Sequence, residues 1–127
     1  MDRPVILIVD LDWDSRVIFR AALEWRGYSV LDAGEPLQAI ELARKHAPDL
    51  IIGDFPMHGV GKDPLTEAIL RDEVQPARTR VVTVTARPSE PDRYPGREAA
   101  DLVLMKPLEP RRILLEVERL VGHPLRA

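Results

Sequence analysis

The segment VILIVD, residues 5–10, decides the fold class of this 127-residue chain. Val5–Val9 is an unbroken apolar run that contains β-branched residues and no polar alternation, which is typical of a strand buried on both faces. Strands of this kind belong to parallel sheets that helices cover on either side. The run ends at Asp10, so a carboxylate directly follows the buried strand.

Four further runs have strand character and alternate with segments of helical periodicity. The predicted strands are Tyr28–Ala33, Leu50–Ile52, Val81–Val84 and Leu102–Met105. This alternation predicts right-handed crossovers and a parallel sheet with helices on both faces.

The helices are predicted from their caps and apolar stripes. Asp12 or Asp14 caps the first helix, and Gly27 ends it. Proline suits the first turn of the others, with helices starting near Pro36, Asp63-Pro64 and Glu109-Pro110. The expected buried faces are Ile18, Ala21, Ala22 and Trp25 in the first helix, Leu37, Ile40, Ala43 and Ala47 in the second, and Ile113, Leu114, Val117, Leu120 and Val121 in the last.

The crossover between the fourth and fifth strands breaks this pattern. It contains Pro88, Pro91 and Pro95, each of which removes a backbone donor and restricts the preceding residue. We therefore expect the fourth helix to be short or disrupted.

Composition narrows the classes of function. The 127 residues suit one globular domain, and since only about six residues follow the last predicted helix we expect a single domain over residues 1–127 and no further domain on this chain. A formal charge of −3 argues against direct nucleic-acid binding. The sequence has no signal peptide or apolar run long enough for a membrane span, and it contains no cysteine, so we expect a cytoplasmic protein without a membrane contact.

Polar side chains stand where four of the predicted strands end. These residues are Asp10, Asp54, Thr85 and Lys106. The carboxyl ends of parallel strands form the usual ligand site of an open sheet. Two carboxylates, a hydroxyl and an ammonium together suit phosphoryl transfer to an aspartate, because a carboxylate-bound magnesium ion and a lysine offset the charge of the phosphoryl group.

The runs ILIVDLDWDSR, PDLIIGDFPMHG, VVTVTA and LVLMKP resemble the receiver domain of two-component response regulators, and the resemblance extends from Val5 to about Val121. It implies a flavodoxin-like (βα)5 three-layer sandwich with a parallel sheet of order 2-1-3-4-5. It also implies a signalling module and not an enzyme. The implied partners are a histidine kinase or phosphotransfer protein and a downstream protein, with a homodimer as a further possibility.

The resemblance assigns roles to individual residues. It implies Asp54 as the phosphoacceptor, and Thr85, Ala86 and Lys106 as phosphoryl contacts. It implies Mg²⁺ as the cofactor and a cis bond before Pro107. The implied metal ligands are Asp10, Asp54 and the backbone carbonyl of Pro56, with Asp12 as a further candidate.

Several positions depart from the family pattern. Leu11 occupies the place of a second metal-binding acid, so we expect weakened magnesium binding. Asp12 replaces it only if the loop rotates, and helix capping is the favoured interpretation of Asp12. Val103 replaces a common aromatic residue, and His58 stands in place of a proline. Trp13 and Trp25 are predicted to be packing residues.

Two other functions stay open at this point. Leu11 and Val103 favour a pseudo-receiver, a phosphorylation-independent interaction module, whereas Asp54, Thr85 and Lys106 oppose it. Asp10 and Asp12 also resemble the D-x-D start of haloacid-dehalogenase-like phosphatases. That alternative is distant, because Asp14 stands where those enzymes have threonine and no later acidic pair is found.

Overall fold

The computed structural model describes residues 3–53, 79–85 and 101–124, in which five strands form one parallel sheet. The predicted strand order 2-1-3-4-5 is confirmed. The strands are β1 (Val5–Val9), β2 (Ser29–Ala33), β3 (Leu50–Gly53), β4 (Arg80–Thr85) and β5 (Leu102–Met105). The order reverses between β1 and β3, which pair along their length.

Three helices lie in the described residues: α1 (Trp13–Arg26), α2 (Pro36–His46) and α3 (Pro110–Val121). Asp12 is the N-cap of α1, and Gly27 ends it in the left-handed conformation at a φ of 117°. Proline occupies the first turn of both α2 and α3, as predicted. The helix predicted from Asp63-Pro64 and the disrupted fourth helix lie outside the described residues. No described helix is long and apolar enough to cross a membrane.

The sheet separates two apolar clusters, which makes the described part of the fold a three-layer arrangement. Alternating strand residues such as Leu7, Val9 and Ile51 pack with α2 on one face. Ile6, Ile8 and Ile52 pack with α1 and α3 on the other face. The predicted stripe of α3 is confirmed, because its residues are buried or pack against this second cluster.

The predicted buried face of α1 is wrong. Ile18 and Trp25 are exposed, and the inward side of the helix carries Leu23, which is fully buried, and Phe19. The helix has two apolar stripes, and periodicity does not say which of them meets the sheet. The prediction that Trp13 and Trp25 are packing residues is wrong for the same reason, since their exposed fractions are 65% and 81%.

The predicted face of α2 is correct only in part. Ile40 and Ala43 are buried, but Leu37 and Ala47 are exposed. Pro36 and Ala39 are also buried, and Leu42 is partly buried against the same cluster.

Candidate functional site

The carboxyl edge of the sheet brings Asp10 and Lys106 to one cavity. Asp10 directly follows β1 and Lys106 directly follows β5. Both line a cavity of about 560 Å³ together with Gly53, the last residue of β3. The register supports this convergence, because Val9 pairs with Gly53 in adjacent strands. Two of the four predicted strand-end residues are therefore placed at one site.

Asp10 is held by its backbone and by its side chain. Its N–H donates to the Ala33 carbonyl at 3.1 Å, and its carbonyl accepts from Arg16 Nη1 at 2.6 Å. Its Oδ1 accepts from the Asp12 N–H at 2.8 Å. Only 8% of the residue is exposed, so the carboxylate is a largely desolvated charge with a fixed direction.

Asp12 caps α1, which confirms the favoured interpretation of this residue. Its Oδ2 accepts from the Ser15 hydroxyl at 2.7 Å, and its Oδ1 accepts from the Asp14 N–H at 3.3 Å. The Ser15 hydroxyl is the main cause that lowers the pKa of Asp12, and the Lys106 ammonium adds a smaller effect in the same direction. Both carboxylate oxygens are thus engaged at the helix terminus.

The cavity is polar at one end and apolar elsewhere. Among the described residues, Asp10, Asp12, Ser15 and Lys106 supply its polar lining. Its apolar walls come from β1, β3, β4, α1 and α3, and from the turn after β5: Ile8, Phe19, Leu23, Ile52, Val84, Pro107, Leu108 and Ile113. The Lys106–Pro107 peptide bond in that turn is cis, as the resemblance implied.

The oxygen chemistry of Asp10 fits a magnesium ligand. Magnesium takes one or two protein carboxylates and completes its shell with water and phosphate oxygens. Within residues 3–53, 79–85 and 101–124, no three acidic or histidine side chains gather to hold a metal. Leu11, at 55% exposure, adds no oxygen, and Asp12 is engaged as a cap. Two carboxylates line the cavity in the described part of the chain, and Asp10 is the better candidate for a metal, because both oxygens of Asp12 accept hydrogen bonds at the start of α1.

Three of the predicted site residues, Asp54, Pro56 and Ala86, lie outside the described residues, as does His58, which departs from the family pattern. Thr85 is the last residue of β4, and its backbone pairs with that of Met105, the residue before Lys106. The roles of Asp54, Pro56, Thr85 and Ala86 in the site therefore stay predictions.

Two residues near the site were missed by sequence reasoning. Arg16 contacts the Asp10 carbonyl although it lies six positions further along α1. Gly53 lets β3 approach β1, since a Cβ atom there would lie 2.0 Å from the Val9 carbonyl oxygen. The glycine before Asp54 was a visible signal for close backbone approach, whereas nothing in the sequence indicated the target of Arg16.

Residues 6–118 match the family described as the response regulator receiver domain. The chain belongs to this family. Receiver domains are signalling modules of two-component systems. This receiver is 32% identical over 114 residues to the phosphate regulon transcriptional regulatory protein PhoB of Pseudomonas aeruginosa, covering 89% of the receiver and 49% of PhoB. It spans about half the length of PhoB and of the transcriptional regulatory protein AruR from the same organism.

A relative of similar length is the polar-differentiation response regulator DivK of Brucella ovis. It is 27% identical over 123 residues, which cover 96% of the receiver and 98% of DivK. Among solved structures, the chemotaxis response regulator CheY4 of Vibrio cholerae superposes with a TM-score of 0.79 at 23% identity, covering 94% of this chain and 99% of that one. The receiver domain of sensor histidine kinase PA1611 from P. aeruginosa gives a TM-score of 0.78 at 20% identity, covering 96% and 99%. These structures share the flavodoxin-like fold of the receiver.

Proposed function

We propose that this receiver accepts a phosphoryl group on Asp54 from a histidine kinase or phosphotransfer protein, and then signals through a protein surface. The observation that carries the proposal is the convergence of Asp10, Lys106 and Gly53 on one cavity, because Gly53 immediately precedes Asp54 in the chain. A carboxylate for a cation and an ammonium for a phosphoryl group are the charges that such a transfer needs.

Each residue has a distinct role in the transfer. A carboxylate oxygen of Asp54 forms the new bond to phosphorus while the bond from phosphorus to the donor histidine nitrogen breaks. Lys106 offsets the charge of the phosphoryl oxygens, and Thr85 and the backbone of Ala86 contact them. Asp10, Asp54 and the Pro56 carbonyl would hold magnesium, which when bound would lower the repulsion between the carboxylate and the phosphoryl group.

Exposed apolar side chains supply surfaces for partners. Trp13, Val17, Ile18 and Trp25 form an outward apolar face on α1, the helix that follows Asp10. Met105 and Leu115 form a second exposed site near β5 and α3. Exposed apolar clusters mark protein contacts. We assign the α1 face to the phosphodonor and the second site to a downstream protein or a second copy.

The proposal includes a cytoplasmic location and magnesium as the cofactor. The sequence contains no cysteine, which is compatible with a reducing cytoplasm. The PA1611 receiver was crystallised with magnesium coordinated in its active-site cleft, which supports magnesium as the ion here. Leu11 is exposed and its side chain has no oxygen, which supports the expectation that magnesium binding is weakened.

The decisive experiment locates a phosphoryl adduct. We expect incubation with magnesium and acetyl phosphate to add one phosphoryl group to the wild type, as measured by intact mass, and none to Asp54→Asn. Asp49→Asn is a matched control, because Asp49 lies before β3 and contacts the Val5 N–H at the opposite end of the sheet. This control should be labelled like the wild type.

Other outcomes identify the alternatives. An adduct on Asp10 with turnover of an aryl phosphate would indicate a phosphatase, although the capping role of Asp12 opposes that function. A wild type without any adduct in millimolar magnesium would overturn the proposal and favour the pseudo-receiver.

Leu11→Asp tests the metal side of the proposal. We expect this variant to bind magnesium at least about tenfold more tightly, because it adds a carboxylate beside Asp10. Titration followed by calorimetry measures the effect, with Leu11→Asn as a control that adds a polar side chain without charge. An unchanged dissociation constant for Leu11→Asp would contradict the placement of Leu11 at the metal-binding position.

A further inference from the structure

Arg16 connects the acidic end of β1 to the edge strand β2. Its Nη1 donates to the Asp10 carbonyl at 2.6 Å, and its buried Nε lies 3.4 Å from Asp32 Oδ1, which makes an ion pair but not a hydrogen bond. Asp32 is the fourth residue of β2, and its Oδ2 also accepts from Arg20. The Arg16 side chain is only 16% exposed, so this ion pair is better shielded from solvent than a surface pair.

The space for this guanidinium exists because residue 34 is glycine. A Cβ atom at Gly34 would lie 2.6 Å from Arg16 Nη1 and 3.2 Å from its Cζ. The three heavy atoms nearest to that Cβ position all belong to Arg16, so a methyl group there would displace the Arg16 side chain. Gly34 and Asp32 thus fix the guanidinium from two sides.

The contact bears on the metal site because it restrains the residue that presents the carboxylate. Asp10 has its N–H bound to Ala33, its carbonyl bound to Arg16 and its Oδ1 bound to the Asp12 N–H. Loss of the Arg16 contact leaves the carbonyl of a largely buried residue without this donor and frees the peptide plane between residues 10 and 11 to rotate. The direction of the carboxylate then changes with the loop.

We propose that Arg16 is a positioning residue that holds Asp10 in the orientation required for magnesium, and that Asp32 both anchors Arg16 and neutralises its charge. The proposal rests on the proposed phosphoacceptor function, since it concerns the same metal site. It explains how Asp10 can serve at the end of β1 without a second acid at position 11: rigid placement of Asp10 compensates in part for the missing ligand.

The direction in which magnesium affinity changes when Arg16 is replaced distinguishes a positioning role from a purely electrostatic one. Arg16 is a cation beside an acidic site, so a purely electrostatic role predicts tighter magnesium binding when its charge is removed. Positioning predicts the opposite. We expect Arg16→Gln to raise the magnesium dissociation constant about tenfold, which is the range for loss of a residue that supports a metal ligand.

Amide exchange of Asp12 gives a second measurement that needs no metal. The Asp12 N–H is protected by Asp10 Oδ1, so a misplaced Asp10 exposes it. Hydrogen exchange followed by NMR should show about tenfold faster exchange at Asp12 in Arg16→Gln. Arg16→Lys, which keeps the charge and one donor, should restore part of both effects, and Gly34→Ala should reproduce both with Arg16 present.

Arg20→Gln is the matched control. Arg20 is the second arginine that contacts Asp32, and in the described structure its side chain makes no hydrogen bond to Asp10. Magnesium affinity and Asp12 exchange should stay within about twofold of the wild type. Circular dichroism shows whether each variant folds. If Arg16→Gln does not fold, the magnesium affinity and the Asp12 exchange rate of Gly34→Ala test the proposal in its place.

Tighter magnesium binding in Arg16→Gln, or unchanged affinity with unchanged Asp12 exchange, would overturn the proposal. If the wild type binds no magnesium and forms no adduct on Asp54, the proposed function fails. The comparison of Asp12 exchange between Arg16→Gln and Arg20→Gln then decides alone whether Arg16 positions Asp10.

Discussion

Helices α1 and α3 lie on the same face of the sheet and use their apolar residues in opposite ways. In α3 the main apolar stripe faces inward, with Ile113 and Val117 buried. In α1 the larger apolar residues face outward, among them Trp13 and Trp25, and Leu23 is the buried residue of the helix. An inward apolar stripe stabilises the fold, whereas an outward one adds no burial unless another molecule covers it.

The inward flank of α1 relies on arginines where α3 relies on aliphatic side chains. Arg16 reaches the Asp10 carbonyl, and Arg26 lies 3.4 Å from Glu118 of α3. Long arginine side chains pack their methylene groups on apolar surface while the guanidinium finds polar partners. Helix α1 therefore contributes both to the site, through Arg16, and to the core, through Leu23, whereas α3 contributes mainly to the core.

The largest effect that distinguishes the two faces of α1 concerns Leu23. We expect Leu23→Ala to lower the free energy of unfolding by about 3 kcal/mol, as does Ile113→Ala in α3, because both side chains are buried in the same cluster. Trp25→Ala should change it by less than about 0.5 kcal/mol, although it removes a larger side chain. Urea denaturation of the three variants measures all three values.

A loss of several kcal/mol in Trp25→Ala would break the comparison, because it would show that the outward face of α1 is packed in the folded monomer. Acrylamide quenching of tryptophan fluorescence is an independent check. Both Trp13 and Trp25 should be accessible to the quencher, since their exposed fractions are 65% and 81%.

A smaller effect concerns the link between the two helices at their C-terminal ends. Tyr28 follows α1, is buried, and donates its hydroxyl to the Gly122 carbonyl at the end of α3 at 2.8 Å. We expect Tyr28→Phe to lower the free energy of unfolding by about 1 kcal/mol at pH 7, because the variant loses a partly buried hydrogen bond. Denaturation of the wild type and the variant gives this difference.

The difference in the free energy of unfolding between the wild type and Tyr28→Phe should depend on pH. Burial, with a contribution from the Glu118 carboxylate, raises the pKa of Tyr28 to about 12 from its ordinary value of 10.0. The unfolded tyrosine loses its proton first, so its contribution is complete below pH 10 and is lost as the pH rises toward 12. The gap between the wild type and Tyr28→Phe should therefore narrow in this interval. A gap that is constant up to pH 12 would contradict the buried, neutral hydroxyl.

Sequence reasoning predicted most of the fold from local chemistry. The strand Leu102–Met105 was predicted to the residue, and the cap at Asp12 and the stop at Gly27 follow from backbone groups that only certain residues satisfy. The buried face of α1 was not predictable, because Phe19 and Leu23 form a stripe no more apolar than the one that contains Trp13 and Trp25.

The candidate site likewise has residues that the sequence predicted and a contact that it did not predict. Asp10 and Lys106 could be assigned to one edge because the carboxyl ends of parallel strands must meet there. The contact between Arg16 and Asp10 could not, since it depends on how α1 is rotated above the sheet and on the space that Gly34 leaves.

The sequence by itself determined the parallel sheet, its helices and the polar residues at its edge, because hydrophobic period, caps and turns act over a few neighbouring residues. Only the tertiary structure decided which side of α1 meets the sheet and which side chain holds Asp10. Those choices depend on contacts between β1, β2 and α1, whose energies come from packing and pairing across the chain and not from any local pattern.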